Sequence, residues 1–172
     1  SVNQTDSPTI DTNILARNIP ILGICYGWQL MAKLLGGQVV SERKEYGPEQ
    51  VYFRKNVFGL NSLSGSVIMS HGDCVEQIPT GFEIIASTKN VACAAAYNPV
   101  KRLYGVQFHP ELHDTEQGFE MLNFFVTNIA GCVPTLTPLN INDIMNKIRT
   151  NVGKDEVICA ISGGVDSTVT AT

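Results

Sequence analysis

Residues 20–29 run Pro-Ile-Leu-Gly-Ile-Cys-Tyr-Gly-Trp-Gln, and the rest of the chain is arranged around this segment. Its apolar run at 21–24 predicts a buried strand. Apolar side chains then recur at helical spacing, which predicts a helix over 28–35 that ends at Gly36-Gly37. Cys25 falls in the turn between the two elements. The segment therefore predicts the strand, tight turn and helix that build an α/β fold.

Two glycines flank the cysteine at a spacing of Gly-x-Cys-x-Gly, the pattern of a nucleophile elbow with cysteine in place of serine. We expect side chains at Gly23 or Gly27 to collide across the turn. The turn would present the sulfur above a helix N-terminus, whose partial positive charge favours the thiolate. A single cysteine in an apolar stretch is usually an inert core residue, but the paired glycines favour a nucleophile.

The composition limits the class of protein. The 172 residues are 44% hydrophobic and 16% charged, which predicts one packed domain with part of a second. A net charge of −4 argues against nucleic acid as a partner, and no apolar run approaches the roughly 18 residues of a membrane span. Five widely spaced cysteines favour the reducing cytoplasm over a disulfide framework or metal site. Four of them are expected to be buried small residues: Cys74, Cys93, Cys132 and Cys159.

Short runs of β-forming residues and helical spacing predict the remaining elements. Strands are expected over 38–41, 51–53, 67–69, 82–87, 91–97, 103–108 and 156–161. Helices are expected over 14–18, over 119–129 with Thr115 as N-cap, and over 141–148 with Asn140 or Asn142 as N-cap. Loops are expected at 42–49 and 70–73. The proline-containing stretch 132–139 has no periodicity and predicts a boundary between domains 1–133 and 134–172.

His109 ends an apolar strand, where parallel-sheet enzymes place reactive groups. Pro110 is expected to hold the backbone extended, which puts Glu111 on the same side as His109. A nucleophilic cysteine needs a base, and the base needs an orienting group. Cys25, His109 and Glu111 are therefore the candidate catalytic residues.

Two other histidines, His71 and His113, are alternatives to His109 as the base. His71 follows a predicted strand, and His113 has Asp114 beside it but lies in a polar connection. Taken alone, a histidine is more often a hydrogen-bonded core residue and a glutamate more often a solvated surface acid. The combination with the Cys25 turn favours His109 and Glu111.

A second motif, Ser162-Gly163-Gly164-Val165-Asp166-Ser167, follows the predicted strand at 156–161. A glycine-rich loop between a buried strand and a helix start presents backbone N–H groups to phosphate. The spaced Gly-Lys-Ser/Thr of a Walker A loop is absent from it. Paired glycines alone are a weak signal, but the hexad after a strand predicts a phosphate-binding loop.

These motifs together resemble known families. Gly-Ile-Cys-Tyr-Gly-x-Gln followed by His-Pro-Glu, with the histidine 84 positions after the cysteine, resembles the class I (triad) glutamine amidotransferases. Ser70-His71-Gly72-Asp73 resembles their GMP synthase branch, and residues 162–167 resemble the pyrophosphate loop of ATP pyrophosphatases. The resemblance implies an α/β fold with a class I amidotransferase-like, mostly parallel sheet flanked by helices. It also implies the first helix, strand and loop of an adenine nucleotide α-hydrolase-like domain.

The resemblance also implies roles for individual residues. Cys25 would attack the side-chain amide of glutamine, His109 would move the proton, and Glu111 would orient His109. The backbone N–H of Tyr26 would donate to the oxyanion. Four positions match those that hold glutamine in the family: Gln29, Ser70, Gly72 and Asp73. Six would bind ATP with magnesium: Ser162, Gly163, Gly164, Val165, Asp166 and Ser167.

In this family branch, ammonia from glutamine aminates ATP-activated XMP to give GMP, AMP and pyrophosphate, within purine biosynthesis. The glutaminase step needs no cofactor, and a homodimer through C-terminal regions is expected. The family's Gly-Gly-Pro loop, which supplies the other oxyanion N–H, would lie before Ser1, so we expect this chain to be an impaired fragment. Two alternatives stay open: another class I amidotransferase, serving carbamoyl phosphate or anthranilate synthesis, and a non-catalytic binding or regulatory module.

Overall fold

The structure is a computed structural model that describes residues 1–41, 43–133 and 140–158. It divides into two compact units, Ser1–Val133 and Pro134–Thr172. Within the described ranges, no helix is both long and apolar enough to cross a membrane.

The first unit contains eight described strands and two described α-helices. The strands are β1 (Ile21–Ile24), β2 (Gln38–Val40), β3 (Glu45–Phe53), β4 (Ser64–His71), β5 (Cys74–Gln77), β6 (Glu83–Ser87), β7 (Ala95–Asn98) and β8 (Leu103–Val106). The helices are α1 (Tyr26–Leu34) and α2 (Gly118–Phe124). A 3-10 helix spans Thr12–Ala16, and a π-helical turn spans Phe125–Ile129.

Six strands form the main sheet in the order β1-β8-β7-β6-β3-β4, and β2 and β5 form a separate antiparallel pair. The sheet is mixed, with β1 parallel to β8 and the other described neighbours antiparallel. The described strands thus differ from the mostly parallel sheet that we expected. The reason lies in the connections, because β6, β7 and β8 follow one another through short loops, and short loops join only antiparallel neighbours.

Two clusters of buried apolar side chains pack against the sheet. One cluster includes α1 and has at its centre the fully buried Trp28. The indole lies directly on β8, where a Cβ at Gly105 would come within 2.1 Å of it. A glycine at this strand position therefore lets helix α1 pack close to the sheet.

Several element boundaries differ from expectation. Residues 45–49, expected in a loop, belong to β3. Among the described strands, β3 pairs only with β4 at Pro48, so the missing N–H of this proline is tolerated. Strand β7 begins at Ala95 rather than 91, because the chain turns at 88–94 before pairing. Ser70 and His71 belong to β4, so the expected loop at 70–73 is reduced to its last two residues. Helix α2 begins at Gly118 after Gln117, so Thr115 is not its N-cap.

In the second unit, the helix α3 spans Ile141–Val152. The Asn140 side chain accepts a hydrogen bond from the Asn142 N–H and caps the helix, as predicted. Gly153 ends the helix with a φ of 56°. Residues 156–158 form no strand, since they pair with no strand in the described ranges. The rest of the strand expected at 156–161 and the motif at 162–167 lie outside the described residues.

Candidate active site

Cys25 occupies the sharp turn between β1 and α1. Its φ of 48° and ψ of −105° are strained for a residue other than glycine. The Cys25 N–H donates to the carbonyl of Val106 at 2.8 Å, and the Cys25 carbonyl accepts from the N–H of Gln29 at 3.1 Å. These bonds join the end of β8 to the first turn of α1 and fix the half-buried sulfur at the edge of the sheet. This is the geometry of a nucleophile elbow.

The two glycines that flank the cysteine differ in their need to be glycine. A Cβ at Gly23 would lie 2.8 Å from the carbonyl carbon of Gly27 and from the nitrogen of Trp28. A Cβ at Gly27 would meet nothing within 4 Å. The expected collision across the turn is therefore correct for Gly23 and wrong for Gly27, whose Cα faces open space on the exposed side of α1.

Backbone carbonyls along the outer edge of β4 form hydrogen bonds with the residues of the site. The Ile68 carbonyl accepts from the His109 N–H at 3.0 Å, and the Ser66 carbonyl accepts from the Glu116 N–H at 2.8 Å. Two residues beyond Ile68, the Ser70 carbonyl lies 3.8 Å from the sulfur of Cys25, which donates to it. Strands β1 and β4 stand at opposite ends of the strand order, so the sheet must curl for both to reach this point.

His109 and Glu111 are in direct contact, with His109 Nδ1 at 2.6 Å from Glu111 Oε1. An ionised carboxylate only accepts hydrogen bonds, so Nδ1 carries the proton and Nε2 is left as an acceptor. Pro110 and Glu111 form a turn, in which the Leu112 N–H donates to the His109 carbonyl at 3.3 Å. The expected extended backbone is therefore wrong, and the contact is made across a turn.

Cys25 and His109 are brought to the same edge of the sheet without a hydrogen bond between their side chains in the described ranges. Both contact β4, at carbonyls two residues apart. His109 Nε2 is buried and has no hydrogen-bond partner among the residues that the structure describes. The one ring nitrogen able to accept a proton is thus unengaged.

The electrostatics of the sulfur differ from expectation. Burial raises the pKa of the Cys25 thiol above its ordinary value, and the negative charge of Glu111 also raises it. Hydrogen bonds from the Tyr26 backbone N–H and the Gln107 side chain lower this pKa but do not offset burial. Burial of the sulfur therefore opposes the thiolate that we expected the helix N-terminus to favour. A reaction at this sulfur needs a base to remove the proton.

Of the four residues expected to hold glutamine, two have side chains engaged in hydrogen bonds within the chain. The buried Gln29 donates through Nε2 to the Asp73 carbonyl at 2.6 Å and to Gln107 Oε1 at 3.3 Å. The buried carboxylate of Asp73 accepts from Ser41 Oγ at 2.6 Å. Ser70 is exposed beside the sulfur, and Gly72 is half-buried. The glutamine contacts remain a prediction.

The alternative bases lie in different surroundings. His71 Nε2 is 3.2 Å from Glu45 Oε2, and both side chains are fully buried. Thr88 Oγ1 donates to the second oxygen of the same carboxylate at 2.7 Å. Successive strand residues face opposite sides, so His71 faces the core while Ser70 is exposed. His113 lies in an exposed turn. Neither histidine shows the paired and half-buried arrangement of His109.

Two residues of the site were not predicted. Gln107 is fully buried and places Nε2 at 3.7 Å from Cys25 Sγ. Thr115 is buried, and its hydroxyl donates to the His109 carbonyl at 2.7 Å and accepts from the Ile68 N–H at 3.1 Å. The sequence offers a signal for Gln107, because it is the single amide side chain within the apolar run 103–108 and lies two residues before His109.

The chain has four cysteines besides Cys25. Cys74 and Cys93 are buried as expected, whereas Cys132 is exposed near the end of the first unit, beyond the apolar clusters. Cys159 lies outside the described residues. No group of three or more His, Cys, Asp or Glu side chains that could hold a metal ion occurs among the residues described.

Comparisons with known proteins give a consistent result. A family model described as glutamine amidotransferase class-I matches residues 1–129. A glutamine-hydrolysing GMP synthase from Caldicellulosiruptor saccharolyticus is 46% identical over 99% of this chain and 34% of its own length. The corresponding protein from Marinobacter nauticus is 44% identical, over 99% and 35%. The chain thus spans about a third of the length of these curated relatives.

The fold comparison agrees with the sequence comparison. The crystal structure of a protein from Thermoplasma acidophilum, assigned as one subunit of a GMP synthase, superposes with a TM-score of 0.64 at 29% identity. The match covers 77% of this chain and 64% of that one. The amidotransferase-like α/β fold that the motifs predicted is therefore confirmed.

Proposed function

The chain belongs to the class-I glutamine amidotransferase family, and on that premise we propose that it hydrolyses glutamine to glutamate and ammonia at Cys25. The observation that supports this most directly is the His109–Glu111 contact of 2.6 Å at the same sheet edge as the sulfur. The His109 Nε2 atom, which has no hydrogen-bond partner in the described part of the chain, is the acceptor that the chemistry needs.

In the first step, the Cys25 thiol passes its proton to His109 Nε2, and Sγ forms a bond to the side-chain amide carbon of glutamine. The base is required because burial raises the pKa of this thiol. Glu111 accepts the Nδ1–H bond and stabilises the imidazolium that forms. The backbone N–H of Tyr26 donates to the amide oxygen as negative charge develops on it.

In the second step, the carbon–nitrogen bond breaks while His109 returns the proton to the departing nitrogen. Ammonia leaves, and a γ-glutamyl thioester remains on the sulfur. Water then gives one proton to His109 as its oxygen attacks the thioester carbon. The carbon–sulfur bond breaks, glutamate leaves, and the sulfur recovers its proton from His109. We propose that Gln29, Ser70, Gly72 and Asp73 hold the glutamine during these steps.

For a protein of the full length of these relatives, we propose that the ammonia aminates ATP-activated XMP to give GMP, AMP and pyrophosphate. Support comes from relatives that are glutamine-hydrolysing GMP synthases at 44–46% identity. The motif at 162–167, which would bind ATP with magnesium, lies outside the described residues. The wide spacing of the cysteines favours a cytoplasmic setting.

Replacement of the nucleophile tests the proposal. Cys25→Ala should lower glutamate release from glutamine by at least about a thousandfold, because the covalent step is lost. Cys132→Ala, which removes an exposed cysteine beyond the apolar clusters, should keep the unsubstituted rate. A glutamine analogue with an electrophilic carbon in place of the side-chain amide should label Cys25 and no other cysteine, as located by peptide mass spectrometry. Wild-type glutamine hydrolysis by Cys25→Ala would refute the assignment.

A further inference from the structure

Gln107 has an unusual position for an amide side chain. It immediately follows β8 and is completely buried. Its backbone N–H donates to the carbonyl of Ala94 at 2.8 Å, and this bond fixes the position of the Gln107 main chain. Its side chain extends towards the turn at Cys25, with Nε2 at 3.7 Å from Sγ.

Neighbouring groups settle which end of the amide faces the sulfur. The Asp73 carbonyl can only accept a hydrogen bond, so the atom of Gln29 that contacts it at 2.6 Å must be the nitrogen. The second N–H of that nitrogen is directed to Gln107 at 3.3 Å, where it needs an oxygen. The oxygen of Gln107 is thereby engaged, and its NH₂ group is directed to the sulfur.

We propose that Gln107 is a catalytic residue whose side-chain N–H donates to Cys25 Sγ and stabilises the thiolate, with Gln29 as the positioning residue that holds the amide in this orientation. The proposal rests on the proposed function, in which the thiolate forms before attack and again when the thioester is hydrolysed. A neutral amide suits this role, because it cannot accept the thiol proton and so leaves that step to His109.

Burial strengthens the effect of this contact. A hydrogen bond to an ionised group is stronger than one between neutral groups, and low local polarity increases it further. The direction agrees with the electrostatics, since the Gln107 amide lowers the pKa of the Cys25 thiol against the opposing effect of burial. Gln107 is thus one of two donors, with the Tyr26 N–H, that favour the charged sulfur.

The test is the pH dependence of Cys25 alkylation by iodoacetamide in the 172-residue chain, followed on the Cys25 peptide by mass spectrometry. Gln107→Met removes the donor at similar volume, and Gln107→Glu replaces it with an acceptor of the same shape. We expect each to lower the alkylation rate near neutral pH about tenfold and to move the midpoint upward by about one pH unit. Gln50→Met, the same substitution at an exposed residue of β3, should leave both unchanged.

Gln29→Met provides a second variant that keeps Gln107 in place but frees its amide, and it should shift the midpoint in the same direction. Circular dichroism establishes that each variant is folded. Folded Gln107 and Gln29 variants with the unsubstituted alkylation profile would overturn the proposal. Glutamine hydrolysis is measured on the same samples and on Cys25→Ala, so that the two proposals can be told apart. If the Gln107 variants shift the alkylation profile but Cys25→Ala still hydrolyses glutamine, the proposed function is refuted instead.

Discussion

At the scale of single residues, Thr115 connects the candidate base to the sheet. Its buried hydroxyl donates to the His109 carbonyl and accepts from the Ile68 N–H, while the Ile68 carbonyl accepts from the His109 N–H. The backbone of His109 is therefore held to β4 by one direct hydrogen bond and by a bridge of two through the Thr115 hydroxyl. Since Nε2 must reach a sulfur held by the same strand, these bonds limit how far the ring can move.

Thr115→Val keeps the shape of the side chain but removes the hydroxyl. It leaves the part-buried Ile68 N–H without this partner and leaves the His109 carbonyl with the Leu112 N–H alone, which should lower the free energy of unfolding by roughly 1–3 kcal/mol. We also expect kcat for glutamine hydrolysis to fall about tenfold with little change in KM, because the base and not the substrate is displaced. Urea unfolding and steady-state kinetics measure the two effects.

Thr115→Ser is the matched control, since it retains the hydroxyl and should retain most of the stability and of kcat. A valine variant with both properties unchanged would contradict the role assigned to this hydroxyl.

The sequence predicted some of these residues and not others. The close spacing of His109 and Glu111 made their contact predictable from the residues alone. A hydroxyl before an apolar helical pattern is usually a helix cap, which is why the sequence predicts that role for Thr115. One of its actual partners, Ile68, lies on β4, 47 residues away in the chain, where no local pattern shows it. Gln107 was missed for the same reason.

At the scale of elements, the turn at Cys25 depends on close packing of β1 against α1. Gly23→Ala places a Cβ at 2.8 Å from backbone atoms of the helix, which cannot move away as a side chain can. We expect it to lower the free energy of unfolding by roughly 1–3 kcal/mol. Gly27→Ala meets open space and adds a better helix former, so stability should stay the same or rise by up to about 1 kcal/mol.

Thermal and urea unfolding of the two variants side by side measure this difference, and each variant is the other's control. Equal losses from both substitutions would show that the turn does not have the packing described.

Elements were predictable where their signal was local. The apolar run at 21–24 and the helix after Cys25 were found correctly, although the helix begins two residues earlier than its apolar spacing suggested. Strand β3 was partly missed because Gly47-Pro48 is typical of a loop, and its pairing with β4 outweighs this local preference. Strand direction was missed because pairing depends on the whole chain.

At the scale of the whole molecule, Cys93 links stability to pH. It is buried in the cluster that includes α1, and burial raises its pKa from 9.0 to about 12. Below about pH 9, both folded and unfolded chains keep the thiol proton. Between about pH 9 and 12, the unfolded chain loses it while the folded chain retains it. The free energy of unfolding should therefore fall by about 1.4 kcal/mol per pH unit in this window.

Cys93→Ala removes this titration, so its stability should decline less steeply than that of the unsubstituted chain over the same range. The difference between the two urea-unfolding curves, measured from about pH 8 to about pH 10.5, isolates the contribution of Cys93 from that of other groups. Parallel curves would mean that the thiol is accessible to solvent in the folded chain.

The hydrogen bonds along the outer edge of β4 have a further consequence. An uncovered edge strand is a template for pairing with other chains, and here Ser66 and Ile68 are capped by the segment that also holds His109 and Glu111. One segment thus covers this edge strand and also positions two residues of the proposed reaction. Selection for solubility alone would therefore preserve many of the backbone hydrogen bonds around His109. A mutation that detaches the segment should lower both the yield of soluble protein and the rate of the proposed glutamine hydrolysis.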